Sequence, residues 1–225
     1  MVKFFIWIPD ILGVEAFSRL WEKVNSLHFS TFGTLKIPAL KRPPKLKIFN
    51  DPIYGFIRIP NRRLFDLIAH PYFQRLRRIS QMGMSYLVYP GAHHTRFHHA
   101  LGAMHLMQQA VGMLRLKGVE ISQDQADGLY CAILLHDIGH GPFSHALEQE
   151  LLPGISHEQV SLYFMQALDR EHEGALQTAI EIFRGTHPVK FLNQLVSSQL
   201  DMDRLDYLKR DSFYTGVAEG NINSE

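Results

Sequence analysis

With 225 residues, 46% hydrophobic and 20% charged, the chain has enough apolar content for one sizeable buried core and reads as globular. A formal net charge of +1 removes any general electrostatic case for nucleic-acid or membrane-surface binding and leaves only local basic patches. The single cysteine, Cys131, lies in an apolar run with no internal partner, which excludes a disulfide framework and makes a reducing cytoplasm the expected compartment.

The chain opens MVKFFIWIP, an apolar stretch of about five residues, shorter than the h-region of a signal peptide, and no small-residue cleavage site follows it. No window reaches the roughly 20 apolar residues that span a bilayer, so no membrane partner is expected. Residues 11–27 place Phe17, Leu20, Trp21, Val24 and Leu27 near helical spacing, predicting an amphipathic helix, and Pro38, Pro43 and Pro44 mark a linker after it. Residues 1–45 are therefore expected to form an N-terminal extension and linker, with the folded domain in 46–225. KIFNDPIYGFIRIP alternates as a short hairpin around Pro52 and Gly55. A helix begins near Leu64, and Pro71 restarts one as PYFQRLRRISQMG, with Arg75, Arg77 and Arg78 on the face opposite Phe73, Leu76 and Ile79. By default those arginines form a solvated face. SYLVYPGA is expected to be extended. Helices then follow from His98–His99 to the 112–118 region, from a cap at Ser122 or Asp124 to His136, and at 157–170, 173–184, 188–199 and 201–211. The expected class is all-α with one minor hairpin.

Thirteen histidines are the compositional anomaly, and eight of them fall between His93 and His145. In AILLHDIGHGPFSH, Ala132 to His145, an apolar rod ends in the adjacent pair His136–Asp137, and Gly139, His140, Gly141 and Pro142 then stop the helix. An imidazole beside a carboxylate is a competent pair of metal ligands, although a histidine at a helix end more often serves as a cap. Partners exist on both sides: HHTRFHHALG from His93 and LDMDRLDY from Leu200.

Read together, His … His-Asp … Asp is the ligand order of the HD superfamily of metal-dependent phosphohydrolases, helical-bundle proteins that this chain resembles. The words PGAHHTRFHHALG, LLHDIGHGPFSH, SHEQ and LDMDRLDYLKRD are similar to its deoxynucleotide triphosphohydrolase branch, over Lys47 to Ile222. The resemblance implies metal ligands His99, His136, Asp137 and Asp203, with His98 as a rival to His99 that the family pattern disfavours. That mixed nitrogen and oxygen set suits Fe, Mn, Zn, Co or Ni, with positions left for water and a substrate oxygen; Mg accompanying the nucleotide is a further candidate. It also implies that His140 and His157 lie near the scissile phosphate, one as acid for the leaving oxygen. Arg96, His145, Arg204 and Tyr207 would contact phosphates, Gln81 would read the deoxyribose, and Asp211 would lie near the sugar 3′-hydroxyl.

The expected reaction is hydrolysis of a dNTP to deoxynucleoside and triphosphate. The alternatives are another HD nucleotidase or phosphodiesterase, and a non-catalytic nucleotide or single-stranded nucleic-acid binder using Arg62, Arg63, Arg75, Arg77 and Arg78 with Phe65, Tyr72 and Phe73. Three departures stand out. Arg204 replaces a lysine of the vertebrate enzymes, and Ala69 replaces an aspartate of their guanine-nucleotide activator site, although Lys47, Gln74 and Arg77 persist. Relatives also continue beyond the equivalent of Glu225 into helices that finish the nucleotide pocket and an oligomer interface. This chain is expected to lack that region, and a homo-oligomer is expected of a full-length form.

Overall fold

The computed structural model describes residues 47–143, 146, 147, 150 and 153–218. The expected 11–27 helix, the linker and His145 lie outside them.

β1 (Lys47–Asp51) and β2 (Gly55–Ile59) pair antiparallel, in the expected hairpin. Asp51 Oδ1 closes the turn by accepting the N–H groups of Ile53 at 2.9 Å and Tyr54 at 3.1 Å. Ile57 and Ile59 face the core. Asn61 caps α1 (Arg62–Ala69), accepting the Leu64 N–H at 2.9 Å, and Pro71 opens α2 (Pro71–Gln74), where its missing N–H is not needed.

The chain here departs from the expected long helix. A 3₁₀ turn over Arg75–Arg78 follows α2, and Ile79 becomes extended. The reason is a competing backbone pairing: Gln81 N–H donates to the His94 carbonyl at 3.0 Å and Arg96 N–H to the Ile79 carbonyl at 3.0 Å, around a Ser80–Thr95 bridge. SYLVYPGA is not extended either. With no neighbouring strand among the described residues to satisfy it, it winds into a 3₁₀ turn, Ser85–Leu87, and further turns whose N–H groups bond back to Met84 and Ser85.

α3 (Arg96–Leu116) starts earlier than expected. Thr95 is its N-cap, and the His98 ring accepts the Thr95 N–H through Nδ1 at 3.2 Å. α4 (Gln123–Leu135) is capped by Ser122 rather than Asp124, in a reciprocal box with Gln125. Then come α5 (His157–Glu171), α6 (Gln177–Phe183), α7 (Lys190–Val196) and α8 (Met202–Thr215). The core forms where α4 packs on α3 and α6 while α8 lies along α3. From Gly128 to Leu135 every residue of α4 is buried, so the apolar run ending at His136 is the interior rod of an all-α fold that, among the described residues, carries a single hairpin. Among the described residues, no helix is long and apolar enough to cross a membrane.

Candidate metal centre and adjoining cavity

The C-terminal end of α4, the first turn of α3 and the first turn of α8 converge. His99, His136 and Asp203 bring ligand atoms within 4.8 Å of one another. His99 Nε2 lies 3.3 Å from His136 Nε2 and 2.9 Å from Asp203 Oδ1, and His136 Nε2 lies 3.3 Å from the same oxygen. Asp137 flanks the group, with oxygens 3.4 Å from His136 Nε2 and 3.8 Å from His99 Nε2; it also accepts from Arg96 Nη1 at 2.5 Å and lies 3.2 Å from His140 Nε2. His98, turned to its helix cap, is not part of the cluster.

The far sides of both imidazoles determine what the near sides present. His99 Nδ1 is 2.8 Å from Asp206 Oδ2, and His136 Nδ1 is 2.6 Å from the Ile133 carbonyl. Carboxylate and carbonyl oxygens only accept, so both Nδ1 atoms donate, and in the neutral rings both Nε2 atoms carry lone pairs into the cluster. Two such lone pairs and a carboxylate oxygen facing each other repel unless a proton or cation sits among them. The donor set therefore fits a divalent transition cation.

Burial opposes charge on every member, yet the members hold one another ionised. Against that burial, the bonds and charges of Asp203 and Asp206 push His99 up to about 10, and Asp137 and Asp203 raise His136. Asp137 and Asp203 sit well below the usual carboxylate range because of the neighbouring histidines and, for Asp137, Arg96. His140 behaves oppositely: its burial prevails over Asp137 and drives it down to about 4, so it is neutral at pH 7.

Several supporting residues escaped the sequence reading. Asp206 accepts from Arg210 Nε at 2.9 Å, and Arg210 Nη1 donates to Asp51 at 2.9 Å, tying His99 to the hairpin turn through a buried chain. A Cβ on Gly102 would lie 2.0 Å from Asp206 Oδ1 and 2.2 Å from Arg210 Nη2, so the network needs glycine there. The turn after α4 is pinned by Ser161, whose Oγ donates to the His136 carbonyl at 2.6 Å and accepts the Gly139 N–H at 2.8 Å. Arg75 pins it from the other side, donating to the carbonyls of His140 and Ile138, rather than lying on a solvated face. The signals available were Asp206 and Arg210 at three and seven residues after Asp203, one face of a helix.

A cavity of about 480 Å³ opens beside the cluster. Of the predicted residues, Gln81, Arg96, Asp137, His140, His157, Asp203, Tyr207 and Asp211 line it. Arg204 does not; it is exposed, because one residue after Asp203 is about 100° round the helix, whereas Tyr207 and Asp211 follow by one and two turns. The rings of His140 and His157 stack, centroids 3.9 Å apart at 18°. Ser80 Oγ, Gln81 Oε1 and Arg96 Nε, all on residues of the cavity wall, are buried without a hydrogen-bond partner among the described residues. The basic cluster upstream has other work: Arg62 pairs with Asp66, Arg77 lies over Phe97, and Phe73 is fully buried.

A family model described as the HD domain matches residues 96–211. Among curated proteins, the uncharacterized protein YwfO of Bacillus subtilis is 37% identical, over 80% of this chain and 42% of its own length. The deoxynucleoside triphosphate triphosphohydrolase SAMHD1 of Mus musculus is 32% identical, over 76% of this chain and 32% of its own. The crystal structure of a phosphohydrolase from Bacteroides thetaiotaomicron is 57% identical with a TM-score of 0.78, covering 80% of this chain and 45% of that one. The chain thus spans less than half the length of these relatives.

Proposed function

Because the chain belongs to the HD domain family, we propose that it is a cation-dependent phosphohydrolase of nucleotides, splitting a deoxynucleoside triphosphate into deoxynucleoside and triphosphate. The observation that carries this reading is a cavity bounded both by the His/Asp cluster, through Asp137 and Asp203, and by unmet polar groups on Ser80, Gln81 and Arg96. A buried unmet polar atom costs roughly 1–3 kcal/mol, so these atoms mark where an occupant's hydrogen bonds belong. The relatives named deoxynucleoside triphosphate triphosphohydrolase, from Mus musculus and Dictyostelium discoideum, support the substrate class.

His99, His136, Asp137 and Asp203 would hold the cation, which when bound supplies positive charge to a phosphate oxygen and makes water more acidic. The chain's own groups do the positioning. Arg96, aimed by its bond to Asp137, offers guanidinium N–H groups to phosphate, and Tyr207 lines the same wall. Water attacks the α-phosphorus, the bond to the nucleoside 5′-oxygen breaks, and that oxygen leaves with a proton from the His140–His157 pair. His140 is neutral at pH 7 in the cation-free protein; the negative charge of a bound triphosphate raises its proton affinity, so the acid is readied by the substrate. Gln81, on the cavity wall, would read the sugar.

The test incubates metal-quantified protein with the four dNTPs, the matching rNTPs and a cyclic dinucleotide, resolving products by ion exchange. Deoxynucleoside plus triphosphate, lost in Asp137→Ala, is the expected result. Orthophosphate, or cleavage of the cyclic dinucleotide alone, overturns the triphosphohydrolase reading.

A further inference from the structure

His94 sits five residues before the cluster and has no part in it. Its side chain is fully buried, its Nε2 lies 2.6 Å from Asp211 Oδ1, and its ring stacks on Tyr214 with centroids 4.5 Å apart at 17°. The carboxylate only accepts, so Nε2 donates; Nδ1 has no partner among the described residues. Tyr214 is held in place in turn, since its carbonyl oxygen lies where only a glycine fits: a Cβ on Gly91 would be 2.3 Å away. The His94 carbonyl meanwhile accepts the Gln81 N–H at 3.0 Å. One residue therefore anchors two parts of the cavity wall, Gln81 through its backbone and Asp211 through its ring.

Among the described residues three carboxylates line that cavity, and Asp211 is the one apart from the cation cluster, which includes Asp203 and is flanked by Asp137. With no cation beside it to offset its charge, it repels phosphate and accepts hydrogen bonds only. With Oδ1 committed to His94, its second oxygen is left to accept from a donor on an occupant of the cavity. On a nucleoside triphosphate the sugar hydroxyl is a donor that lies away from the phosphates.

Resting on the nucleotide reading above, we propose that His94 is a positioning residue: its N–H locks the Asp211 carboxylate so that the free oxygen accepts a hydrogen bond from the sugar 3′-hydroxyl. Without that lock the carboxylate turns about its own bond, and preference for a 3′-hydroxyl is lost while the cation cluster stays intact.

The test compares each dNTP with its 2′,3′-dideoxy counterpart on the metal-loaded protein, in kcat and KM and in equilibrium binding by calorimetry. His94→Phe keeps the stack on Tyr214 and removes the donor; His94→Asn keeps a shorter donor; Asp211→Asn alters the acceptor on a partly exposed side chain, which covers a folding failure at His94. Wild type should favour the dNTP by about tenfold or more, through KM, as expected for a hydrogen bond to a charged group. That preference should collapse in His94→Phe and Asp211→Asn, recover in part in His94→Asn, and fall no further in the double variant. A His94→Phe protein with stoichiometric metal and the wild-type preference overturns the proposal and leaves the nucleotide reading standing. If wild type turns over no nucleotide, the triphosphohydrolase reading falls, and the binding ratio still decides His94: equal affinities for the two ligands overturn its role, and a preference lost in the variants upholds it.

Discussion

Behind His99 the buried charged side chains are paired with one another, whereas in front of it several buried polar atoms meet no partner among the described residues. On the far side, Asp206 carries His99 and Arg210, and Arg210 reaches on to Asp51, over residues as far apart as 159 positions. On the cavity side, Ser80, Gln81 and Arg96 hold unmet donors or acceptors. Similar chemistry serves two ends. A satisfied ionic network fixes a ring in orientation and tautomer, and an unsatisfied wall is a stock of interactions reserved for a ligand.

The contrast can be broken most severely from behind. Asp206→Ala strands the Arg210 guanidinium with Asp51 alone and frees the His99 ring, so a loss of about 3–5 kcal/mol is expected, with a 10- to 100-fold weaker cation affinity. Denaturant midpoints and metal analysis measure both, and a loss under about 1 kcal/mol would show that the network does not hold the ring. Asp137→Ala attacks the junction of the two regions, removing the partner of Arg96 and a flanking carboxylate together. Bound metal should fall and turnover should drop by roughly 10²–10³-fold, checked by metal content and product analysis. Gly102→Ala drives a methyl into Asp206 and Arg210 and should cost about 1–3 kcal/mol in thermal or denaturant unfolding.

Acidity sharpens the comparison further. His99, up at about 10 without a cation, is protonated at neutral pH, and cation binding must displace that proton. Affinity should therefore rise with pH, by about tenfold per unit across pH 6 to 8, with about one proton released in calorimetry run in buffers of different ionisation enthalpy. A flat profile would mean that His99 is already neutral. From the front, Gln81→Ala should leave stability within about 0.5 kcal/mol, because its Oε1 bonds nothing among the described residues, while KM rises about tenfold. Paired unfolding curves and steady-state kinetics separate the two effects.

Local chemistry accounts for part of what was readable beforehand: the hairpin and the helical class follow from alternation and helical spacing. The set Gln81, Arg96, His140, His157, Tyr207 and Asp211, which lines the cavity, came from the family resemblance and not from any periodicity. The misreadings lie where a distant partner overrode a local pattern. Arg75 is on a polar helix face by spacing, yet it serves carbonyls 63 and 65 residues away. PYFQRLRRISQMG has helical periodicity throughout, but its end is taken by backbone pairing with 94–96.

From the sequence alone came the residue types and the order His, His-Asp, Asp, because ligand chemistry and helix periodicity act over a few residues. The family pattern favoured His99 over His98, but only the tertiary structure gave the physical reason: His98 is turned to a helix cap, and His99 is held by Asp206 at a separation of 107 residues. It alone revealed the Asp206–Arg210–Asp51 chain and the His94 anchor. Those contacts arise from how α3, α8 and the hairpin pack, and packing between distant segments is set by the shape of the whole core rather than by any stretch of chain within it.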